Sequence, residues 1–329
     1  MALVVISLIA SGCASGGNTD SGGESTTGTN PIQVTKFNAF PNPAPANNQV
    51  TFTLELKNTG SVTATNVIAK LWNPPFASKS TDDRTWRDAS KGQILGDNQE
   101  WERRFDFGEL RGAQEGVETF AKPKTLRLTA PNLGSGQSFP YNFHAKYFYK
   151  YSTEGSTTIT AMGNNQYRQS GASKSRSVQI SHNSAPVTLE GQILSGNPVV
   201  FYDSDRSQGH KDVQFCVVVK NQGGGTVLSR SASHETRYVV SSATKNKVEL
   251  TVEALGSTEL KAKDGNQGTF ATSKTVTVTL ISGDQVRKCF TMRLEPLTTT
   301  AQKEIGPINV KADYAYVEDT STTVTVNGR

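Results

Sequence analysis

The chain is written twice, and that constrains its fold more than anything else in it. Phe52-Thr-Leu-Glu-Leu-Lys57-Asn58-Thr-Gly60 returns as Phe215-Cys-Val-Val-Val-Lys220-Asn221-Gln-Gly223, an offset of 163. Thr125-Leu-Arg127-Leu128 aligns with Thr291-Met-Arg293-Leu294 at an offset of 166. Pro140-Tyr-Asn142-Phe-His-Ala145-Lys-Tyr147-Phe-Tyr149 aligns with Pro307-Ile-Asn309-Val-Lys-Ala312-Asp-Tyr314-Ala-Tyr316 at 167, and Ser156-Thr157-Thr158 with Ser321-Thr322-Thr323 at 165. Matches that keep their order while the offset drifts by a few residues describe a tandem duplicate whose loops vary more than its strands. The joint falls near Ser181-His-Asn-Ser184.

Inside each copy the apolar residues recur with period two, the signature of a half-buried strand. Phe52, Leu54 and Leu56 alternate with Thr53, Glu55 and Lys57; Val67, Ala69 and Leu71 alternate with Ile68, Lys70 and Trp72. Tyr141, Phe143, Ala145, Tyr147 and Tyr149 share one face of a longer strand, whose other face carries Asn142, His144 and Lys146. Hydrophobic residues make up 35% of the chain and charged residues 19%, and Thr, Ser and Gly take the balance. That mix excludes a helical bundle, a helix-rich α/β enzyme and a multi-span membrane protein. The fold class expected is all-β: two tandem immunoglobulin-like antiparallel β-sandwiches, over 31–184 and 185–329. A net charge of +5 from scattered basic residues gives no reason to expect nucleic acid as a partner.

The N-terminus reads differently. Residues 1–9, MALVVISLI, are strongly apolar and lead through Ala10, Ser11 and Gly12 to Cys13. The run is too short to span a bilayer, which needs about 20 residues, but long enough for a signal-peptide core. It resembles a lipoprotein signal, in which small residues precede the cysteine that is lipidated; that resemblance makes 1–12 a signal peptide and Cys13 the lipidation site. Residues 13–30, rich in Gly, Ser and Thr and free of large apolar residues until Pro31, read as a flexible tether. The localisation expected is extracytoplasmic, on the outer face of a membrane held through the lipid.

An early strand ending Lys57-Asn58-Thr59-Gly60, a following Ala64-Thr65-Asn66-Val67 strand, and late strands Ala145-Lys-Tyr147-Phe-Tyr149 and Ala312-Asp-Tyr314-Ala-Tyr316 resemble the immunoglobulin-like CARDB group. They are similar to modules of archaeal S-layer-associated proteins. The likeness covers most of both halves, although the second lacks the Ala-Thr-Asn-Val piece. It implies an envelope or extracellular module that adheres or spaces, without catalysis, and it transfers no site residue, because the matching positions are turn and core positions. The chain contains no Asn-x-Ser/Thr sequon, which weighs against a heavily N-glycosylated lattice protein.

Motifs for chemistry are sparse. His144, His182, His210 and His234 lie in separate segments without metal-ligand spacing. Asp203-Ser-Asp205-Arg-Ser-Gln-Gly209-His-Lys-Asp212 begins like a calcium loop but has no Gly at its sixth position and Gln214 at its twelfth. No cofactor and no metal are expected, and no catalytic residue is assigned. The distinctive region is the first half's trio of tryptophans, Trp72, Trp86 and Trp101, interleaved with Arg84, Arg87, Arg103 and Arg104. Trp with Arg is the usual makeup of a recognition surface, so Trp86, Arg84, Arg87, Trp101 and Arg104 form the candidate binding surface. Against this, Trp101 alternates in phase with Phe105 and Phe107 and so fits a core.

Two cysteines remain after Cys13. Cys216 alternates out of phase with Phe215, Val217 and Val219, and Cys289 with Phe290, Met292 and Leu294, so both point away from the core. Outward cysteines pair if their strands are neighbours in one sheet, as the second and fifth strands of such a sandwich are. A cross-strand Cys216–Cys289 disulfide is therefore expected on the outer face of the second domain only, with Thr53 and Pro123 at the matching positions of the first.

These readings converge on a lipid-anchored, non-enzymatic cell-envelope protein that adheres, binds a protein or glycan partner, or acts as a spacer. Two alternatives stand beside it: a structural subunit that self-assembles by strand addition at its sheet edges, and an accessory glycan-binding module.

Overall fold

In a computed structural model the described residues are 30–72, 85–88, 103–113, 119–232, 242–254, 259–262 and 269–329. Cys13, the expected signal and most of the expected tether, together with Arg84 and Trp101, lie outside them. The first half contains β1 (Ile32–Phe40), β2 (Ala44–Pro45), β3 (Gln49–Asn58), β4 (Ala64–Trp72), β5 (Arg87–Asp88), β6 (Arg104–Leu110), β7 (Lys122–Thr129) and β8 (Ser138–Gly163). After α1 (Asn164–Ser170) come β9 (Ser175–Val178), β10 (Ser181–His182), β11 (Val187–Asn197) and β12 (Val199–Phe201). After α2 (Asp203–Ser207) come β13 (Lys211–Asn221), β14 (Thr226–Ser229), β15 (Lys247–Ala254), β16 (Glu259–Ala262), β17 (Ser273–Thr279), β18 (Gln285–Leu294) and β19 (Gln302–Asn327).

The chain is all-β and forms two β-sandwiches. One outer sheet runs β1-β3-β7-β5, the other β16-β18-β13-β11-β9, and both pack on a single ten-stranded sheet, β17-β15-β19-β8-β4-β6, with β10 and β12 also on β8 and β14 and β2 also on β19. The alternation dictates the faces. Phe52, Leu54 and Leu56 of β3 meet Phe143 and Ala145 of β8 in the first core, with the Phe52 and Phe143 rings 4.4 Å apart. Phe215, Val217 and Val219 of β13 and Phe290 and Met292 of β18 are fully buried in the second. At about 1.5–3 kcal/mol for each buried Val, Leu or Phe, these faces dominate the stability of each sandwich.

Neither sandwich is made from one half of the sequence. The strands β8 and β19, each 26 residues long, pair antiparallel from Ser138↔Asn327 to Met162↔Gln302. At about 3.3 Å per residue such a strand reaches about 85 Å, far beyond the usual strand of about 3–10 residues. The N-terminal part of β8 pairs with β4, but its end, Ala161–Gly163, pairs with β12 of the second half. Reciprocally, β19 pairs with β14 and β15, and its end, Val326–Asn327, pairs with β2 of the first half. Ile159 and Ala161 thus complete the second core, and Val324 and Val326 the first; all four are fully buried. Equivalent clamps hold the two ends: Asn42 Oδ1 accepts from Thr325 N at 3.0 Å, and Asn197 Oδ1 accepts from Thr160 N at 2.9 Å. A boundary at 184/185 therefore misplaces residues 153–163 and 318–327, which serve the other sandwich.

The two halves are related by an approximate two-fold axis. Asn58 Nδ2 donates to Val62 O and Asn221 Nδ2 to Gly225 O, so the repeat offset at this turn is 163. The equivalent residues Thr65 and Leu228 pair with Lys150 and Ala315, so the long strands correspond at an offset of 165. Lys150 and Ala315 are themselves a cross-strand pair, which puts the axis between them. Tyr151 therefore corresponds to Tyr316, and Tyr149 to Tyr314; the sequence alignment at 167 was two residues out of step.

The expected disulfide is present. Cys216 and Cys289 are directly opposite on β13 and β18, with Cα atoms 3.9 Å apart. They lie on the outer face between Gln214–Thr291, joined at 2.8 Å, and Val218–Arg287, with the Asp212–Arg293 ion pair beyond. In the first sandwich the residue opposite Thr53 is Thr125, not Pro123, which faces Glu55.

Candidate functional site

The candidate surface drawn from the sequence does not come together. Trp86 is 0% exposed and its indole meets Phe52, Tyr141 and Phe143 edge-on, with centroids 5.9, 5.6 and 4.9 Å away. It is a core residue: it immediately precedes the short β5 and packs among these three rings, where its large apolar area is best buried. Arg87 follows it on β5, which pairs with β7 in the four-stranded outer sheet. Arg104 lies on β6, in the ten-stranded sheet. Trp86 and Arg87 therefore share no surface with Arg104.

Arg104 has other company. Across the outer face of the ten-stranded sheet, Arg104 pairs with Lys70 of β4, Lys70 with Lys146 of β8, and Lys146 with Asp319 of β19. Adjacent strands are about 4.8 Å apart, so three cations stand side by side in one transverse row. The next row toward the tip runs Trp72, His144, Ser321. Trp72 is 51% exposed because the alternation that turns Val67, Ala69 and Leu71 inward turns it out. Lys146 Nζ lies 4.8 Å from the centre of the Trp72 ring, a cation–π contact. His144 Nδ1 is 3.6 Å from Asp319 Oδ2, and Arg104 is 3.8 Å from Asp106. The third row, Asn142 and Thr323, is tied by a 2.8 Å hydrogen bond.

Lys70 is buried (6% exposed), so Lys146 and Arg104 are the cations within reach of a ligand. The result is a firm, flat platform: an aromatic ring, two reachable cations, an imidazole and a polar fringe, all on paired strands. Sequence reasoning missed Trp72, Lys70, His144 and Lys146 as a group. The outward phase of each was visible, but their adjacency depends on the β4–β8 register, which is a long-range property.

A second polar cluster sits at the waist between the sandwiches. The Glu318 carboxylate accepts from Tyr147 Oη at 2.5 Å, Tyr149 Oη at 3.0 Å and Asn30 Nδ2 at 3.0 Å. Burial pushes the Glu318 carboxyl up, and the two tyrosine hydrogen bonds hold it back. Burial, with the Glu318 charge next, drives the Tyr147 and Tyr149 hydroxyls well above their ordinary range. Burial pushes Tyr151 up to about 12. Such groups stay protonated and donate, so the cluster pins the waist and is not poised for proton transfer. Tyr316 Oη donates to Asn221 Oδ1 and accepts from Gly225 N, at 2.9 and 3.0 Å, doing the same for the second half.

The acids of the calcium-like stretch are engaged within the chain. Asp205 accepts from Tyr202 N and Lys211 Nζ, and Asp212 pairs with Arg293. Among the described residues no group of three or more His, Cys, Asp or Glu is arranged to hold a metal ion, and no helix is long and apolar enough to cross a membrane.

Fold and site together define an all-β, disulfide-bonded double sandwich with exchanged strand ends and an aromatic–cationic platform on the shared sheet. No family model matches the chain, and no curated protein matches it. Among solved structures it is similar to the secreted serine protease VesC from Vibrio cholerae, at 7% identity and a TM-score of 0.16, over 82% of this chain and 48% of that one. It is similar also to the CupB6 tip adhesin from Pseudomonas aeruginosa, at 10% identity and 0.17, over 92% and 96%. A third is the Enterococcus faecalis MSCRAMM ACE, at 6% and 0.14, over 90% and 95%. The chain spans about half the length of the protease it matches. At these TM-scores the likenesses carry no argument about activity or partner.

Proposed function

We propose that this chain is a non-enzymatic binding module of the cell envelope, exported and held on the outer face of a membrane through a lipid on Cys13, and of the CARDB type that its motifs resemble. The observation that carries the binding role is the outer-face platform of Trp72, His144, Lys146 and Arg104, brought together by the pairing of β4, β6, β8 and β19. The Cys216–Cys289 disulfide supports export, since such bonds persist in oxidising compartments. The partner that fits the platform is an acidic polysaccharide, whose sugar faces stack on an indole and whose carboxylates meet Lys146 and Arg104. Affinity electrophoresis on polygalacturonate or alginate, with neutral dextran as control, tests this. Retardation should weaken at least about tenfold in Trp72→Ala, the change a loss of about 1.4 kcal/mol gives, and should fall with salt. Equal mobility of wild type and Trp72→Ala on every acidic gel would remove the platform from the function. Mass spectrometry of membrane-derived protein should find a diacylated Cys13 at a new N-terminus; an unmodified Cys13 would remove the anchor.

A further inference from the structure

Among the described residues, the main strand orders of the three sheets end at six strands, of which five are guarded; the flanking strands β2, β10, β12 and β14 have only two to four residues. The strand β1 is broken by a register shift between Val34 and Lys36, carries the exposed Lys36, and is followed by Pro41 and Pro43. The strands β5, β9 and β16 have two, four and four residues. The strand β6 bears Arg104, Asp106 and Glu109, has Gly108 at a φ of 67°, and pairs with β4 through two register shifts. Short length, charge, bulges and proline are the devices that keep sheet edges from pairing with other chains.

The sixth edge, β17, has none of them over most of its length. It reads Ser-Lys-Thr-Val-Thr-Val-Thr and pairs with β15 in unbroken register from Lys247↔Thr279 to Glu253↔Ser273. Leu280 N donates to Asn246 O and Ala254 N to Thr272 O, so the peptide groups of the even-numbered residues face β15. Those of Ser273, Thr275, Thr277 and Thr279 consequently face outward, and the same four side chains are exposed on the outer face. The only charge, Lys274, is near one end. Just past the other end Ile281 is 70% exposed, an isolated apolar side chain on an otherwise polar turn.

We infer that β17 is a docking edge for a second copy of this chain, pairing antiparallel with its own counterpart about Thr277. This inference is independent of the glycan platform. Of the two odd-numbered residues nearest the strand's centre, Thr277 gives the better register. It sets Thr275 against the partner's Thr279, Val276 against the partner's Val278 and Lys274 against the partner's Leu280, and it brings Ile281 beside the partner's Ser273. No like charges are opposed, and Thr–Thr and Val–Val are favourable cross-strand pairs. About six reciprocal backbone hydrogen bonds close the ladder. The chain already uses this interaction internally, where β8 and β19 join the halves about Lys150 and Ala315. Because the contact is isologous it closes at two copies and gives a dimer with one continuous sheet, not a filament. Seven paired residues a side bury less than the about 1,000 Å² of a stable interface, so the dimer is weak and concentration-dependent.

Sedimentation velocity of the full chain across a concentration series reads this out. Wild type should shift from monomer toward dimer as concentration rises, and Thr277→Lys, which sets two lysines against each other at an exposed position, should stay monomeric with an unchanged circular dichroism spectrum. In a Cys13→Ser background, Thr277→Cys should cross-link to a covalent dimer under mild oxidation, while Thr35→Cys on the guarded β1 edge should not. A wild type that is monomeric throughout, a dimer indifferent to Thr277→Lys, or equal cross-linking from both cysteines would overturn the inference. Polygalacturonate binding of the Thr277→Lys variant should match wild type, which separates this test from that of the platform.

Discussion

If β8 and β19 exchange their ends, damage to the last residues of the chain must be felt in the first sandwich. Val324 and Val326 are both fully buried and reach across to the first half, where Val326 pairs with Ala44. Replacing either by Ala removes about two methylene equivalents, worth about 0.8 kcal/mol each, and the cavity adds to this. Each variant should therefore lose about 2 kcal/mol or slightly more, and the double variant about 4 kcal/mol, with some departure from additivity because the residues are neighbours. The mirror-image change is Ile159→Ala, at about 2–5 kcal/mol, written in the first half but buried in the second sandwich. Native-state hydrogen exchange by mass spectrometry separates the two. Peptides from β1, β3 and β7 should lose protection in Val324→Ala and Val326→Ala, and peptides from β11, β13 and β18 in Ile159→Ala. Exchange is the right assay because sandwiches open sub-globally with distinct free energies. If the valine variants instead loosened β11, β13 and β18 and left β3 and β7 protected, each half would be its own sandwich and the exchange would be wrong.

Other consequences follow from particular contacts. Replacing Cys216 and Cys289 together by Ala should cost up to about 4 kcal/mol on the chain-entropy account of a 73-residue loop, seen as a lower denaturant midpoint; an unchanged midpoint would mean the bond is not formed in the native protein. Because the folded Glu318 carboxyl titrates above its ordinary value, the folded chain holds a proton that the unfolded chain has released. Its contribution is thus fully present below the ordinary glutamate range and is lost as pH rises through the raised value. Thermal midpoints should accordingly fall across that window in wild type and less so in Glu318→Gln, and a steeper fall in the variant would contradict the sign. Gly60→Ala and Gly223→Ala would each drive a methyl into a tyrosine hydroxyl, Tyr151 and Tyr316 respectively, with Pro31 Cβ and Pro186 Cβ each 2.8 Å away. Both should destabilise by more than 1 kcal/mol in urea titrations, as overpacking does.

Period-two alternation was enough to assign faces. Phe215, Val217, Phe290 and Met292 turn in and Cys216 and Cys289 turn out, and the disulfide followed from that phase together with the adjacency of the second and fifth strands of such a sandwich. The same periodicity hides three other things. A strand slipped by two residues keeps every side chain on its face, so the repeat alignment could sit two residues off at Tyr147–Tyr149 and at Thr125 without disturbing any alternation. Nor does the pattern change where a strand leaves one sandwich for the next: Tyr149, Tyr151 and Thr153 alternate inward across the waist just as Tyr141 and Phe143 do within the first core. What marks the crossing is length, since alternation persists to Ile159 and Ala161, well beyond the usual 3–10 residues of a strand. The third is lateral register. Trp86 looked like a surface residue because Arg and Asp stand near it in sequence, whereas Trp72 follows the buried Leu71 yet stands outside, beside Lys146 and His144. Flanking residues in a strand point to the opposite face, and the residues that share a surface come from other strands. The platform is therefore a property of pairing between β4, β6, β8 and β19, and its chemistry appears only when four distant segments are laid side by side.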